Sequence, residues 1–393
     1  MSNIQKAKLG NYIKINQSTY SPKENWEFVN YLDTGNITKN KVDEIQYINT
    51  ASDKLPSRAR RKVKKDSIVY STVRPNQHHY GIINKQPENF LVSTGFAVIE
   101  VDSSVANPKY IYYFLTQREI VEQLQALAEQ SVSAYPSIKP SDIENLEIAL
   151  PNKETQEKVV SILSVLDEKI VQNTEINNNL EQQANAIFIN EFHRFENLPK
   201  GWKKASLIDI ADYLNGLAMQ KYRPKPTEPG IPVLKIRELR QGFCDKNSDL
   251  CSQKIKKEYI VQDDDVIFSW SGSLLVDFWC GGTCGLNQHL FKVTSNKYDK
   301  WFYYVWTKYH LDRFITLAAD RATTMGHIKR DELSKAEVLI PDRENYLRIG
   351  NLLQNIYDSI LSNRKEAKLL SEMRDALIPK LLNGEVEISN IDF

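Results

Sequence analysis

Several stretches of the sequence hold residue types that could carry chemistry, but none completes a catalytic or metal-binding pattern. Gly281–Gly285 is glycine-rich, yet no Gly-Lys-Ser/Thr follows it, so it is not a phosphate-binding loop. The carboxylates of Asp263–Asp265 would alternate between the two faces of a strand and would rarely converge on one metal ion. His78 and His79 point apart in an extended chain, which favours hydrogen bonding to a ligand over metal binding. We therefore expect no catalytic residue, no metal and no bound cofactor, although a sequence does not exclude a triad that is assembled only in space.

Length and composition indicate a globular protein with more than one domain. A chain of 393 residues and 45.4 kDa suits two or three domains. No apolar run approaches the roughly 20 residues of a membrane span, and the N-terminus lacks a signal-peptide core. We expect a cytoplasmic protein without a membrane partner. The four cysteines, all within residues 244–284, lack the C-x2-C spacing typical of zinc sites and are interpreted as reduced structural thiols.

Two segments of the sequence are copies of one amphipathic helix. In each copy apolar residues recur at a seven-residue period, with a second apolar row four places later, which is the pattern of a helix that packs against another helix. Each residue of the second copy lies 190 positions after its counterpart, including an asparagine in the middle of each stripe. The helix-pairing residues are predicted to be Val159, Leu163, Leu166, Ile170, Asn173, Leu180 and Ile187, and in the second copy Ile349, Leu353, Ile356, Ile360, Asn363, Leu370 and Leu377.

The two copies are expected to pair with each other, since tertiary packing supplies most of the stability of such a helix. Antiparallel pairing would bring Asn173 and Asn363 together and fix the register, unless both face solvent at a bend. The predicted boundaries are a first domain at 1–150, a central helix at 151–195, a second domain at 196–340, a C-terminal helix at 341–385 and a tail at 386–393. The predicted class is α+β, with a pseudo-two-fold internal repeat.

The two domains also repeat each other. DDDVIFSWSG from Asp263 matches DSIVYSTVR from Asp66, and CGLNQHLFKV from Cys284 matches FLVSTGFAVI from Phe90. Core-forming positions keep their character while loop positions change it, as expected of one scaffold that recognises two different targets.

The charges are distributed unevenly between domains and helices. Residues 1–150 hold 18 basic and 16 acidic residues and residues 198–340 hold 22 and 17, whereas residues 152–195 hold 4 and 7 and residues 342–393 hold 7 and 9. A polyanionic partner should therefore meet the domains, while the helices serve assembly. The most basic run holds Arg58, Arg60, Arg61, Lys62, Lys64 and Lys65, and it is read either as a phosphate-binding surface or as a solvated face.

The chain resembles the specificity (S) subunit of type I restriction-modification systems over nearly its whole length. The resemblance rests on IKPSDIENLEIALPNKETQEKVVSILSVLDEKI, its counterpart IKRDELSKAEVLIPDRENYLRIGNLLQNIYDSI, the terminal LLSEMRDALIPKLLNGEV, and STVRPNQ with VSTGFAVIEV. It implies a non-catalytic reader of double-stranded DNA in which each target-recognition domain reads half of a split sequence. The antiparallel helix pair would set the spacing between the halves. Two methyltransferase subunits, which use S-adenosylmethionine, and restriction subunits would be its partners.

Specific DNA contacts are predicted from loop residues that can donate to phosphates or base edges. In the first domain these are Arg74, Asn76, Gln77, His78 and His79, with Gln130, Ser133, Tyr135 and Ser137 from the loop before Ile138. In the second domain they are Lys235, Arg237, Ser271 and Ser273, with Arg321, Thr323, Thr324 and His327. Two other hypotheses stay open from the sequence, namely a stand-alone DNA-modifying enzyme and a helical scaffold that does not bind DNA.

Overall fold

A computed structural model describes residues 6–131, 135–320 and 328–386, and the chain folds into two compact units. The first unit comprises residues 1–168 and 370–393, and the second comprises residues 169–369. Two helices of 40 residues, Lys153–Phe192 and Arg343–Leu382, each contribute one segment to both units. The domain boundaries given above stay a prediction, and residues 387–393 of the predicted tail lie outside the described residues.

The first unit is built from three main sheets and short helices. Its sheets have the strand orders β6-β3-β10-β7, β2-β11-β8-β9 and β1-β12, with a small β4-β5 ribbon. The strands are β1 (Lys6–Lys8), β2 (Ile13–Ile15), β3 (Phe28–Leu32), β4 (Ile37–Thr38), β5 (Lys41–Val42), β6 (Gln46–Asn49), β7 (Ala59–Lys62), β8 (Ile68–Ser71), β9 (Tyr80–Ile82), β10 (Phe90–Ser93), β11 (Phe96–Val101) and β12 (Glu147–Ala149). The helices are α1 (Pro108–Thr116), α2 (Arg118–Glu129), α3 (Pro140–Glu144) and the first part of α4 (Lys153–Phe192).

The second unit repeats the same topology. Its sheets have the orders β16-β15-β20-β17, β14-β21-β18-β19 and β13-β22. The strands are β13 (Lys203–Ser206), β14 (Asp212–Asn215), β15 (Gly230–Leu234), β16 (Leu250–Ser252), β17 (Ile260–Val261), β18 (Val266–Ser269), β19 (Leu275–Phe278), β20 (Cys284–Leu286), β21 (Leu290–Thr294) and β22 (Glu337–Ile340). The helices are α5 (Leu207–Ile210), α6 (Ile236–Gln241), α7 (Lys300–Tyr309), α8 (Leu311–Asp320), α9 (Asp331–Ser334) and the first part of α10 (Arg343–Leu382). In each unit one of the two four-stranded sheets contains a parallel strand pair. This pair is β3 with β10 in the first unit and β15 with β20 in the second.

The apolar runs of the sequence form the cores, as their patterns predict. All four residues of β8 and all four of β18 are buried, because each of these strands lies between two others in a covered sheet. Asn107 begins α1 by accepting a hydrogen bond from Lys109 N at 2.9 Å, and Pro108 occupies the first turn. The helical segment that begins at Pro108 is interrupted at Gln117, whose extended ψ of 142° separates α1 from α2.

In the second unit the two long helices run antiparallel around a polar layer. Asn173 Nδ2 donates to Glu366 Oε2 at 2.7 Å and to Asn363 O at 3.4 Å, and farther along α4 the carboxylate of Glu191 accepts two hydrogen bonds from Arg348. Asn177 accepts a hydrogen bond from Asn363 Nδ2 at 2.9 Å. Asn173 is 1% exposed, so it does not face solvent at a bend.

In the first unit the helices also run antiparallel. Arg374 Nη1 donates to Asp167 Oδ1 at 2.8 Å, and Ile378 and Leu381 share a core with Val159 and Leu163. Every predicted helix-pairing residue is buried or half-buried. The predicted α+β class, with two repeated domains and two packed long helices, is confirmed.

Candidate nucleic-acid interface

The first unit brings two of the predicted loops together. Arg74 N donates to Pro136 O at 2.9 Å, and Val73 forms an isolated β-bridge with Ser137. The Arg74 guanidinium lies 5.3 Å from the ring centroid of Tyr135, whose side chain is 61% exposed. A cation over an exposed ring at this distance is a cation–π contact. Arg74, Tyr135 and Ser137 therefore belong to one surface. Gln130 is exposed just after α2, and Ser133 lies outside the described residues.

The backbone of the loop after β8 is unusual. Arg74 has φ +48° and His78 has φ +58°, so two residues with side chains adopt the left-handed conformation on either side of the 3-10 turn Pro75–Gln77. Each such residue costs about 1–2 kcal/mol, and such strain persists only when surrounding contacts fix it. Asn76 N supplies one of these contacts by donating to Gln125 Oε1 at 3.2 Å. Gln77 is exposed at the tip of the turn.

His79 is anchored rather than presented freely. Its Nδ1 lies 2.7 Å from Ile37 O and 3.2 Å from Thr38 Oγ1. Because a backbone carbonyl only accepts, Nδ1 carries a proton, and the ring is held in place by this bond.

The basic run divides between different surroundings. Lys62 forms an ion pair with Glu24 and lies 5.2 Å from the ring centroid of Trp26, while Lys64 pairs with Glu100 at 2.6 Å. The strand β7, which holds part of the run, pairs with β10, and the register shifts between Val92 and Ser93. Burial of Arg61 lowers its pKa. Arg58, Lys64 and Lys65 are exposed, whereas Arg60, Arg61 and Lys62 are half-buried. The run is therefore neither one continuous solvated face nor one unpaired cationic surface.

The turn Thr94–Gly95, which holds none of the predicted DNA-contacting residues, joins the basic run to the Arg74 loop. Thr94 N donates to Arg58 O at 2.8 Å, and Thr72 N donates to Gly95 O at 2.9 Å. A Cβ at Gly95 would lie only 2.8 Å from Thr34 Cγ2, so the turn needs glycine there to approach the loop after β3. The only sequence signal is the polar break Ser93–Gly95 within an apolar strand pattern.

The second unit builds the corresponding surface with different residues. Trp270 N donates to His289 O at 3.4 Å and Ile328 N donates to Trp270 O at 3.2 Å, as Thr72 N bonds Gly95 O and Ile138 N bonds Thr72 O in the first unit. By this correspondence Gly272, with φ +65°, occupies the place of Arg74. The left-handed conformation is kept, while the guanidinium is lost.

The serines of this loop divide into a buried and an exposed one. Ser271 is 5% exposed, and its Oγ lies 2.9 Å from His289 Nδ1. Ser273 is exposed, and its carbonyl accepts a hydrogen bond from Ser269 Oγ at 2.9 Å. Gln288 Nε2 lies 3.3 Å from His289 Nε2. Trp270, Gln288 and His289 are further surface candidates that the sequence did not identify.

Two of the predicted cations of the second domain, Lys235 and Arg237, are engaged by carboxylates. Lys235 pairs with Asp249, and this contact lowers the pKa of Asp249. Arg237 donates to both oxygens of Asp245 at 3.1 Å and to Glu238 Oε1 at 2.6 Å. The pKa of Arg237 is raised, and the hydrogen bond to Asp245 contributes most to this. These side chains hold the loops around α6 in place. Arg321, Thr323, Thr324 and His327 lie outside the described residues.

Comparison with known proteins explains this doubled surface. The family profile described as the type I restriction modification DNA specificity domain matches residues 1–182 and again residues 199–371. The chain belongs to this family. It is similar to the type I restriction enzyme HindI specificity subunit of Haemophilus influenzae. The identity is 24% over an alignment of 432 positions, which covers 91% of this chain and 94% of the relative. It is also similar to the type I restriction enzyme MjaIX specificity subunit of Methanocaldococcus jannaschii, with 26% identity over 400 residues that cover 94% of this chain and 87% of the relative.

A solved structure shares the fold of this chain. The crystal structure of the type I restriction-modification system S subunit from M. genitalium superposes with a TM-score of 0.53 at 16% identity, covering 97% of both chains. The two domains described above are thus the two target-recognition domains of a specificity subunit.

The specificity domains show no grouping of three or more His, Cys, Asp or Glu side chains suited to a metal ion within the described ranges. In particular, Asp263 Oδ1 accepts from Gly282 N, Asp264 pairs with Lys365, and Asp265 pairs with Lys292, each at 2.7 Å. Across residues 6–131, 135–320 and 328–386, no helix has the length and apolar character to cross a membrane.

Proposed function

We propose that this specificity subunit reads the two halves of a bipartite double-stranded DNA target, one half with each domain, and that it does so without a catalytic centre of its own. Methylation would be performed by two methyltransferase subunits that bind S-adenosylmethionine, and cleavage by restriction subunits. The paired helices would serve as the spacer between half-sites and as the docking site for the methyltransferase subunits, and the whole complex would act in the cytoplasm.

The observation that carries this proposal is the Arg74 surface. A guanidinium presents a planar fork of donors that matches O6 and N7 of guanine in the major groove. Here the fork is held over the exposed Tyr135 ring by a strained backbone and a hydrogen bond to Pro136. Neither feature serves the core, because Arg74 is exposed and Tyr135 is 61% exposed. Pre-positioning a base-reading side chain lowers the entropy lost on binding.

The second domain supports reading by hydroxyl, amide and imidazole groups in place of a guanidinium. Ser271, Gln288 and His289 form one hydrogen-bonded group beside the left-handed Gly272. Because Gly272 takes the place of Arg74, the two half-sites should differ in sequence.

The test is to co-express the chain with the methyltransferase subunit encoded beside it and to map methylated adenines across the host genome. A split motif with two defined halves is the expected result. Arg74→Ala should relax the requirement at one base pair of one half-site, since a bidentate pair contributes about 1–3 kcal/mol of discrimination. Arg118→Ala is a suitable control, because Arg118 is exposed on α2 and forms an ion pair with Glu122 of its own helix.

Two outcomes would refute the proposal. If the purified chain methylates or cuts DNA without partners, it is an enzyme. If no methylation depends on the chain and its complexes do not bind DNA, it is a scaffold. An unchanged motif with Arg74→Ala would instead remove Arg74 from the reading surface.

A further inference from the structure

The two recognition domains place their basic residues differently around the same sheet. In the repeated sheet β17 corresponds to β7 and β20 to β10. Ile260 of β17 pairs with Gly285 of β20, as Lys62 of β7 pairs with Leu91 of β10. The strand that is basic in the first domain is thus apolar in the second. Lysines appear instead in the connection from β16 to β17, at Lys254, Lys256 and Lys257.

Lys254 and Lys256 border a cavity of about 290 Å³ in the second unit. Its walls come from the segment after β14, the end of β16 and the β16–β17 connection, namely Leu217, Tyr222, Ser252, Lys254, Ile255, Lys256 and Tyr259. The floor is a small core of Met219, Ile231, Val233, Cys251 and Ile255, onto which Leu217 and Tyr259 pack. The apolar floor and the cationic rim leave the lysine ammonium groups as the strongest donors at the opening.

The cavity adjoins the loops proposed to read DNA, and Asn287 links the two. Leu217, in the cavity wall, forms a β-bridge with Asn287, whose backbone N donates to Leu234 O at 3.2 Å beside Lys235. The Asn287 side chain accepts from His289 N, and His289 contacts Ser271. Asn287 is 3% exposed, and a Cβ at Gly216 would lie 2.2 Å from its carbonyl oxygen. The connection is therefore tightly packed, and cavity and reading loop keep a fixed relation.

The charges around the cavity favour an anion. Lys254 and Lys256 are exposed, and among the described residues neither forms an ion pair. The carboxylate of Glu228 accepts a hydrogen bond from Ser252 Oγ, in the cavity wall, at 2.5 Å. That bond, and secondarily the charge of Lys254, lower the pKa of Glu228. Lys257 adds a third exposed cation and Glu258 one further anion in the same connection. Lys235 and Arg237, in contrast, are matched by carboxylates.

We propose that the cavity rimmed by Lys254 and Lys256 binds a backbone phosphate of the DNA beside the half-site that the second domain reads. This inference rests on the proposed function, because it assigns to the second domain a sequence-independent anchor next to its reading loop. Lysine ammonium groups bind phosphates as compact point charges, and such contacts position a protein on the duplex without specifying bases.

The test is a salt titration of DNA binding by the full chain in complex with its methyltransferase subunits. Each phosphate contact releases condensed counterions and contributes about 0.9 to the slope of log K against log salt. Lys254→Ala/Lys256→Ala should reduce that slope by up to about 1.8 if both lysines contact phosphates. It should weaken binding to specific and random duplexes alike, and leave the methylated motif unchanged. Lys254→Arg/Lys256→Arg should restore the slope, because it restores both charges.

Lys203→Ala is the matched control, since Lys203 is an exposed lysine of the same unit on β13, in a different sheet. A slope equal to that of the wild type in the double alanine variant, with the wild type binding its motif, would overturn the phosphate site and leave the proposed function intact. A changed motif with an unchanged slope would also overturn it, because the lysines would then read bases. If the wild-type complex binds no DNA, the proposed function itself fails.

Discussion

The polar layer between the long helices predicts different outcomes for two identical substitutions one helical turn apart. Asn173 and Asn177 both lie on α4 and are 1% and 8% exposed. Asn177 uses both polar atoms, because Nδ2 donates to Ile360 O at 3.2 Å and Oδ1 accepts from Asn363 Nδ2 at 2.9 Å. Asn173 Nδ2 must face Glu366, since a carboxylate only accepts, and Asn173 Oδ1 is then buried without a hydrogen-bond partner among the described residues.

The magnitudes follow from these contacts. Asn173→Leu should raise the free energy of unfolding by about 1.5–3 kcal/mol through burial of the leucine. Removal of an unsatisfied acceptor should add about 1–3 kcal/mol. The variant loses the bond to Glu366 and the long one to Asn363 O at 3.4 Å, but the Glu366 side chain is 45% exposed and can be rehydrated. Asn177→Leu gains the same burial but loses two satisfied bonds of about 1 kcal/mol each and removes the acceptor of Asn363. We expect the Asn173→Leu protein to be the more stable of the two by about 2 kcal/mol.

Urea unfolding followed by tryptophan fluorescence measures this difference. Five of the six tryptophans lie in the second unit, as do Asn173 and Asn177; they are Trp202, Trp270, Trp279, Trp301 and Trp306. With a slope of about 2 kcal/mol per molar urea, the midpoints should differ by about 1 M. Equal shifts of the same sign in both variants would refute the hydrogen-bond argument and leave burial as the sole determinant.

Three further predictions concern single side chains. Arg74→Gly should be more stable than Arg74→Ala by about 1 kcal/mol, because only glycine adopts φ +48° without strain, while both lose the same base discrimination in the methylation assay. Arg364→Met should lower the unfolding free energy of the second unit by about 3 kcal/mol, since Asp277, 2.7 Å from Arg364 Nη1, would be left unpaired. A hydrogen bond from Arg348 contributes most to lowering the pKa of Glu191, so Glu191→Gln should be less stable at pH 7. The difference from wild type should disappear in urea unfolding as the pH falls through the lowered pKa, where Glu191 itself becomes neutral.

Most of the fold could be predicted because its signals are periodic and occur twice. The seven-residue period of Val159, Leu166 and Asn173, repeated 190 residues later, predicts the two helices and their pairing. The break between α1 and α2 at Gln117 could not be predicted, because the apolar pattern continues through it. The same holds for the boundary between the units, since both long helices are continuous in sequence and structure.

The candidate site was less predictable, because its geometry depends on backbone conformation. Arg74 was identified from its residue type, but nothing in the sequence indicates that its backbone is left-handed or that it contacts Tyr135, 61 residues later. The match of DSIVYSTVR with DDDVIFSWSG already aligns Arg74 with Gly272, and the hydrogen bonds of Thr72 and Trp270 place the two residues at corresponding points of the fold.

Charge pairing decides which cations of this fold are available to a polyanion. Residue type alone gives no reason to separate Lys235 and Arg237 from Lys254 and Lys256 as DNA-binding cations. Carboxylates within the domain form ion pairs with Lys235 and Arg237. Among the described residues they form none with Lys254 or Lys256. A cation that must leave an internal ion pair to bind DNA leaves a carboxylate behind, so its net contribution to affinity falls. Lysines without such a pair release counterions from DNA without this cost. The second domain should therefore bind the DNA backbone through the β16–β17 connection, and the charges around α6 should act on the position of the reading loops.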